Sequence, residues 1–195
     1  MKQMERRQIA IQTEFKTRED GDKLMIAGYF AVYNQNYEIY SGISESIKSG
    51  AFDKVLADNP DVRALINHDS TLVLGRTAAG TLRLKSDNIG LYGEIDINPN
   101  DTDAMNLYNR VKRGDVNQCS FGFDIAKEST EYRDDGSVHF TIEEIAPLYE
   151  VSPCTFPAYE ATAIEARQKD AEQVKSRSVT VYKDKTKERL EKLNA

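Results

Sequence analysis

The chain has 195 residues, a formal net charge of −6 and only two cysteines. Its length fits one domain with an appendage, and its acidity argues against a protein that binds nucleic acid over a broad surface. No segment approaches the roughly 18 apolar residues of a membrane helix, and no apolar signal-peptide core follows the N-terminus. We therefore expect a cytoplasmic protein whose partners are neither nucleic acids nor membranes.

The first half of the chain is dominated by strand patterns. Alternating apolar residues predict a strand over 9–17, and a Glu-Asp-Gly-Asp turn joins it to an aromatic and β-branched strand over 23–33. A short helix is predicted over 49–58, with Ser49 as its N-cap. Further strands are predicted at 62–66, 72–75, 81–85 and 91–97.

The second half contains the clearest helix and the longest strands. The helix is predicted over 101–113, where apolar residues share one face and Gly114 ends it. A long strand over 116–128 is followed by an Asp-Asp-Gly hairpin turn near Asp135. The return strands are predicted at 137–145 and 148–153, with an interruption at Pro147, and helical composition begins near Tyr159.

These elements predict a mainly β protein of the α+β class. Short turns between consecutive strands favour an antiparallel β-barrel of about seven or eight strands, because closure removes exposed sheet edges. Two or more helices would flank the barrel. We expect a barrel domain over 1–165 and a charged, partly helical extension over 166–195.

Histidine is scarce, which narrows the search for a catalytic base. Serine hydrolysis near neutral pH needs a base with a pKa near 7, and the chain offers only His68 and His139. His68 follows a predicted strand in an Asn-His-Asp segment, whereas Ser120 lies within a long predicted strand and is followed by Phe-Gly-Phe.

The predicted hairpin relates Ser120 to an acid. Opposed residues in a regular ladder have numbers with a constant sum, so a turn centred on Asp135 places Glu150 opposite Ser120. A bulge at Pro147 would move this register by a residue or two. The same count places His139 eleven residues along the strand from Ser120, or more than about 30 Å, which favours His68 as the base.

Other interpretations stay open at this stage. Asp69 is a rival orienting acid, although adjacent side chains on an extended backbone point in opposite directions. Ser120 and His68 are also ordinary residues for a strand and a strand end. A cysteine hydrolase using Cys119 or Cys154 is a rival, although both fit small buried side chains and show no metal or disulfide spacing. An esterase of the common α/β type would need a glycine on both sides of the serine.

The ordered motifs of the chain resemble those of the prohead proteases of tailed bacteriophages, which are related in fold to herpesvirus assemblins. The resemblance runs from about residue 8 to residue 165. The matching segments are Gly28-Tyr29-Phe30-Ala31-Val32-Tyr33, Gly50-Ala51-Phe52, Asn67-His68-Asp69, Leu74-Gly75-Arg76-Thr77, Gly80-Thr81-Leu82, Gly90-Leu91, Ser120-Phe121-Gly122-Phe123, Glu150-Val151-Ser152 and Pro157-Ala158.

The resemblance implies a serine endopeptidase that needs no metal or cofactor. It implies Ser120 as nucleophile, His68 as general base and Glu150 as the orienting acid, with Asp69 or His139 as alternatives for the third position. Oxyanion donors would come from the loop around 155–159. The alternative is a non-enzymatic capsid-assembly or scaffolding protein on the same barrel.

The resemblance also implies a biological setting. The substrate would be the phage major capsid protein, through its scaffolding segment, or a separate scaffold protein, and the enzyme would cut itself as well. It would act inside the procapsid within the host cytoplasm, and a homo-oligomer is expected from the assemblins. The extension over 166–195 would then be a self-cleaved or capsid-docking tail, or else simply a solvated charged helix.

Overall fold

The computed structural model describes residues 7–12, 15–20, 23–156 and 171–172. These residues form eleven strands, two α-helices and one short 3₁₀ helix, Thr77–Ala79. The mainly β class is therefore confirmed. In the described part of the chain, however, the strands pair into two sheets, and no closed barrel is formed.

The larger sheet supplies the candidate site. It contains seven strands, which are Arg7–Gln12 (β1), Tyr37–Tyr40 (β4), Ile43–Ile47 (β5), Arg63–Ile66 (β6), Asp69–Arg76 (β7), Gln118–Tyr132 (β10) and Val138–Cys154 (β11). Five of them follow the order β1-β10-β11-β5-β4, and the hairpin of β6 and β7 joins through β11.

Strand β11 is long enough to pair with three other strands. Along one edge it is antiparallel to β10. Along the other edge its first half pairs with β5 and its second half with β6, both in parallel. The short predicted turns did not anticipate these parallel pairs. The contact with β6 brings the tip of the β6–β7 hairpin, which carries His68, beside Glu150.

The smaller sheet covers the inner face of β10. It contains four strands, which are Lys16–Asp20 (β2), Lys23–Val32 (β3), Leu82–Ser86 (β8) and Gly90–Ile97 (β9). All of its neighbouring pairs are antiparallel, in the order β2-β3-β9-β8. Between the sheets, the Phe121 ring lies 5.5 Å from that of Phe52 and 4.8 Å from that of Phe123, measured between ring centroids. Burying each such ring contributes about 1.5–3 kcal/mol, so this core fixes the strand that carries Ser120.

The two α-helices were predicted with different success. Helix α2 spans Thr102–Arg113, and Asp101 caps it by accepting from two backbone N–H groups, while Gly114 ends it in the left-handed region. Helix α1 is shorter than predicted and spans Asp53–Ala57. Ser49 is not its cap, because the N-cap residue is Phe52; the Ser49 hydroxyl accepts from the Asn34 amide at 3.0 Å.

Little of the C-terminal region can be compared with prediction. The predicted helices of the extension lie outside the described residues, except for Ala171 and Glu172. Ala171 is buried against Ile43, Val138 and Phe140, although it lies beyond the predicted end of the domain. The domain boundary at 165 stays a prediction. Within the described ranges, no helix has the length and apolar character needed to cross a membrane.

Candidate active site

A two-residue turn presents His68. Ile66 pairs with Asp69 across the β6–β7 hairpin, which leaves Asn67 and His68 as the loop. Their φ angles are 50° and 63°, which is the pattern of a type I′ turn. Asparagine and histidine tolerate this left-handed region better than most residues do. The local sequence therefore suits a tight turn that projects the imidazole from the hairpin tip.

Two contacts attach this turn to the end of β11. The Asn67 N–H donates to the Pro153 carbonyl at 3.1 Å, and the Asn67 side-chain oxygen accepts from the Thr155 N–H at 2.9 Å. The second contact uses the N–H of one residue in the range expected to supply oxyanion donors. Phe156, the next residue of that range, is exposed, and residues 157 to 159 lie outside the described residues.

His68 and Glu150 are hydrogen-bonded. The distance from His68 Nδ1 to Glu150 Oε1 is 2.7 Å, and the two side chains are 15% and 8% exposed. An ionised carboxylate can only accept, so in the neutral ring the proton lies on Nδ1. The lone pair is then on Nε2, as a general base requires.

Ser120 lies on the same face of the sheet as Glu150 but two residues away from the predicted register. It faces Ser152, and Glu150 instead faces Gly122. The prediction that Ser120 lies directly opposite Glu150 is therefore wrong by two residues. Near the turn of the β10–β11 hairpin, His139 pairs with Glu131 as predicted. Bulges between Gly122 and Glu128 then shift the register before the ladder reaches Ser120.

Ser152 links the two sides of the site. Its hydroxyl donates to Glu150 Oε2 at 2.6 Å, and directly opposed residues of an antiparallel pair have Cα atoms about 4.5–5.5 Å apart. Sequence reasoning gave Ser152 no role. The available signal was strand alternation, which places Ser152 on the same face as Glu150, two residues away.

The candidate nucleophile and base each have an unused polar atom. Among the described residues, three buried side-chain polar atoms lack a hydrogen-bond partner, and two of them are His68 Nε2 and Ser120 Oγ. Buried polar atoms are nearly always paired, so exceptions point to strain or to function. A pocket of about 330 Å³ lies beside His68 and Glu150, and its lining also includes Leu65, Val73 and Tyr149 but not Ser120.

Asp69 does not act on His68 in this structure. Its Oδ1 accepts from the N–H and the hydroxyl of Thr71, at 2.8 and 2.6 Å. These two bonds hold the pKa of Asp69 below its usual value. The carboxylate thus closes a turn at the start of β7.

His139 forms a second serine–histidine cluster, remote from Ser120 along the hairpin. Its Nδ1 lies 2.8 Å from the Ser44 hydroxyl and its Nε2 lies 2.9 Å from the Ser46 hydroxyl. Burial lowers the pKa of His139, and Arg133 lowers it further. Both ring nitrogens are therefore occupied, whereas His68 keeps one nitrogen unpaired.

The cysteines are poorly placed for nucleophilic chemistry. Cys119 is buried on the opposite face of β10, where its thiol donates to the Tyr29 carbonyl at 3.2 Å. Cys154 is also buried, and burial together with the charge of Glu150 raises its pKa to about 12. Since the thiolate is the nucleophile, neither environment favours a cysteine hydrolase.

The chain is similar to a family of known proteins. Residues 12–177 match the family described as Caudovirus prohead serine protease. The chain is 31% identical over 157 residues to the prohead protease of Enterobacteria phage HK97, a match that covers 80% of this chain and 65% of that protein. The chain thus spans slightly less than two thirds of the length of this curated relative.

One solved structure is also similar. It is the capsid assembly protease gp21 of bacteriophage T4, at 14% identity and a TM-score of 0.49, over 78% of this chain and 99% of the other. Because the family match covers most of the sequence, the chain belongs to the Caudovirus prohead serine protease family.

Proposed function

We propose that the chain is a serine endopeptidase with Ser120 as nucleophile, His68 as general base and Glu150 as the residue that orients the base. The observation that carries this proposal is the hydrogen bond from His68 Nδ1 to Glu150, which leaves Nε2 buried and unpaired. The Ser120 hydroxyl, on the same face of the sheet as Glu150, is also buried and unpaired. Family membership supplies the reaction class.

The roles follow from ordinary acid–base chemistry. Ser120 Oγ attacks the peptide carbonyl carbon while His68 Nε2 takes the hydroxyl proton, and the same proton is then donated to the leaving amine. Glu150 holds the Nδ1–H tautomer and stabilises the imidazolium that forms. Ser120 Oγ and His68 Nε2 do not bond to each other in this structure; such contacts commonly tighten only when substrate binds.

The proposed substrates are a phage major capsid protein, through its scaffolding segment, or a separate scaffold protein, together with the enzyme itself. The HK97 relative is named a prohead protease and the T4 relative a capsid assembly protease. A protease of this kind acts inside the procapsid, in the host cytoplasm. Residues 166–195 are proposed as a tail that is cleaved or that docks on the capsid, and a homo-oligomer is proposed as the working form.

Co-expression with the major capsid protein of the same phage tests this function. We expect the wild-type chain to shorten the capsid protein, and Ser120→Ala and His68→Asn to leave it at full length. Asparagine is chosen because it tolerates the left-handed backbone at this position. Loss of an orienting acid lowers turnover by about 10⁴-fold in well-studied triads, so Glu150→Gln should process only traces.

The remote cluster provides the matched control. Ser46→Ala removes a buried serine hydroxyl bonded to a histidine in the same sheet, and we expect normal processing. Processing that survives Ser120→Ala would overturn the assignment. If processing is also lost in a folded Ser46→Ala protein, the result favours the His139 cluster. Processing by every variant would indicate the non-enzymatic alternative, with cleavage due to another protease.

A further inference from the structure

Two residues with no assigned role surround the carboxylate of Glu150. Gly122 lies directly across the ladder from Glu150, and Ser152 lies two residues further along β11 on the same face. Gly122 is buried, and Ser152 is 0% exposed. Both residues are thus placed to act on the Glu150 carboxylate from within the protein.

Gly122 leaves space that the Glu150 side chain occupies. A Cβ atom built at position 122 would lie 2.7 Å from Glu150 Oε1 and 3.2 Å from its Cγ. The φ angle of Gly122 is not among the positive ones, so backbone conformation does not require glycine here. The carboxylate does require it, because Oε1 is the atom that accepts from His68.

Ser152 holds the other oxygen. Its hydroxyl donates to Glu150 Oε2 at 2.6 Å while His68 is bonded to Oε1. With both oxygens bonded, the carboxylate has little freedom to rotate about its terminal torsion, which is otherwise broad. Ser152 therefore keeps Oε1 directed at the imidazole.

We propose that Gly122 and Ser152 are positioning residues, which act on the reaction only by fixing the Glu150 carboxylate and, through it, His68. The proposal rests on the function proposed above but is tested without it. A methyl group at position 122 would displace the end of a flexible side chain rather than the backbone, so the expected loss is in the geometry of Glu150 and not in folding.

The first test is spectroscopic. The chain contains only two histidines, so ¹⁵N-histidine labelling gives two imidazole spectra, which His139→Gln assigns. In the wild-type protein we expect a low-field proton on His68 Nδ1 that is protected from solvent exchange. We expect Gly122→Ala, Ser152→Ala and Glu150→Ala each to lose or strongly shift this signal, while Ser46→Ala should move only the His139 signal.

The second test is a pair of double-mutant cycles on capsid-protein processing. Hydrogen bonds to charged groups support an expected loss of roughly 10- to 100-fold for Gly122→Ala or Ser152→Ala alone. In a Glu150→Ala background, the same substitutions should have no further effect, because the residue through which they act is gone. Thermal unfolding of each variant should remain cooperative.

The outcomes separate the two proposals. An unchanged His68 proton signal in both single variants overturns the positioning roles, whatever the protein catalyses. Equal losses of activity in the wild-type and Glu150→Ala backgrounds overturn them as well, because that result indicates a general structural effect. If the wild-type protein processes nothing, yet Gly122→Ala and Ser152→Ala still lose the His68 signal, the positioning roles are supported and the protease function is rejected.

Discussion

At the scale of single residues, the site depends on an unusual backbone position for its histidine. His68 has a φ angle of 63° at the second position of a two-residue turn, where glycine is the preferred residue. A side chain in the left-handed region costs about 1–2 kcal/mol for ordinary residues. The turn retains a histidine despite this cost, which is the pattern expected where local strain serves function.

A matched pair of substitutions measures that cost. His68→Gly and His68→Ala remove the same imidazole and the same bond to Glu150, so they differ mainly in tolerance of the left-handed backbone. We expect His68→Gly to be the more stable by about 1 kcal/mol, which reverses the usual order of alanine and glycine in regular structure. Guanidinium unfolding of the two variants gives the difference directly. Equal stabilities would show that the turn is unstrained.

The thiols give a second prediction at this scale. With a pKa raised to about 12, Cys154 carries roughly a thousandfold less thiolate at neutral pH than an ordinary cysteine. We expect iodoacetamide to leave the native protein unmodified and fully active, and to modify both cysteines once the chain is unfolded. Mass spectrometry counts the additions. Rapid inactivation of the native protein by alkylation would instead favour the cysteine-hydrolase alternative.

At the scale of elements, helices and turns that are defined by neighbouring residues were predicted well, whereas pairings between distant parts of strands were not. Helix α2 was predicted because its Asp101 cap and its terminal Gly114 are neighbours in sequence. The tip of the β10–β11 hairpin was predicted for the same reason. The bulges nearer Ser120 depend on how the sheet curves against its neighbours, so the pairing of Ser120 with Ser152 could not be counted from the turn.

The catalytic candidates show the same division. Glu150 was identified through a register that is two residues wrong, yet its side chain still reaches His68 because it points to the same face as Ser120. Its bond to His68 depends on a parallel contact between β11 and β6 that no short-range pattern indicates. The three candidates could thus be named from the sequence, whereas the contact between His68 and Glu150 required the fold. The catalytic roles of the three residues stay a prediction.

Attachment of the β6–β7 hairpin provides a prediction at this scale. Asn67→Gly keeps a residue suited to positive φ but removes the side-chain bond to the Thr155 N–H. One such bond contributes about 1 kcal/mol, so we expect a small loss of stability and a clear loss of processing, because the turn that carries His68 is less firmly held. Denaturant unfolding tests the loss of stability, and the rate of capsid-protein processing by the same preparation tests the loss of activity. Unchanged processing would show that the bond does not position the base.

At the scale of the whole molecule, His139 makes stability depend on pH. Its pKa is lowered mainly by burial, with Arg133 acting in the same direction and Glu131 in the opposite one. The unfolded chain therefore takes up the proton first as pH falls. The contribution of His139 to stability is present above the ordinary pKa of about 6.5 and is lost as pH falls through the lowered folded-state value.

The corresponding experiment compares the wild-type protein with His139→Gln. We expect the stability advantage of the wild type to be larger at pH 7 than at pH 5, since only the wild type loses this contribution over that interval. Denaturant unfolding at several pH values gives the difference in free energy of unfolding between the two proteins at each pH. Because both proteins contain the same carboxylates, their contribution cancels in this difference. An advantage that grows towards acidic pH would contradict the neutral, buried state of this ring.

Because one edge of β11 is shared by β5 and β6, β6 has only a short pairing with it, and this affects how the site responds to heating. Ser120 lies on β10, which pairs with β1 on one edge and β11 on the other, whereas the β6–β7 hairpin pairs with β11 at only two positions, Arg63 and Ala64. Regions of a protein open with different free energies, so this hairpin should open before the core. Warming would then withdraw the base while the nucleophile stays in place. Activity should fade reversibly at temperatures where most backbone amides of β10 still resist hydrogen exchange.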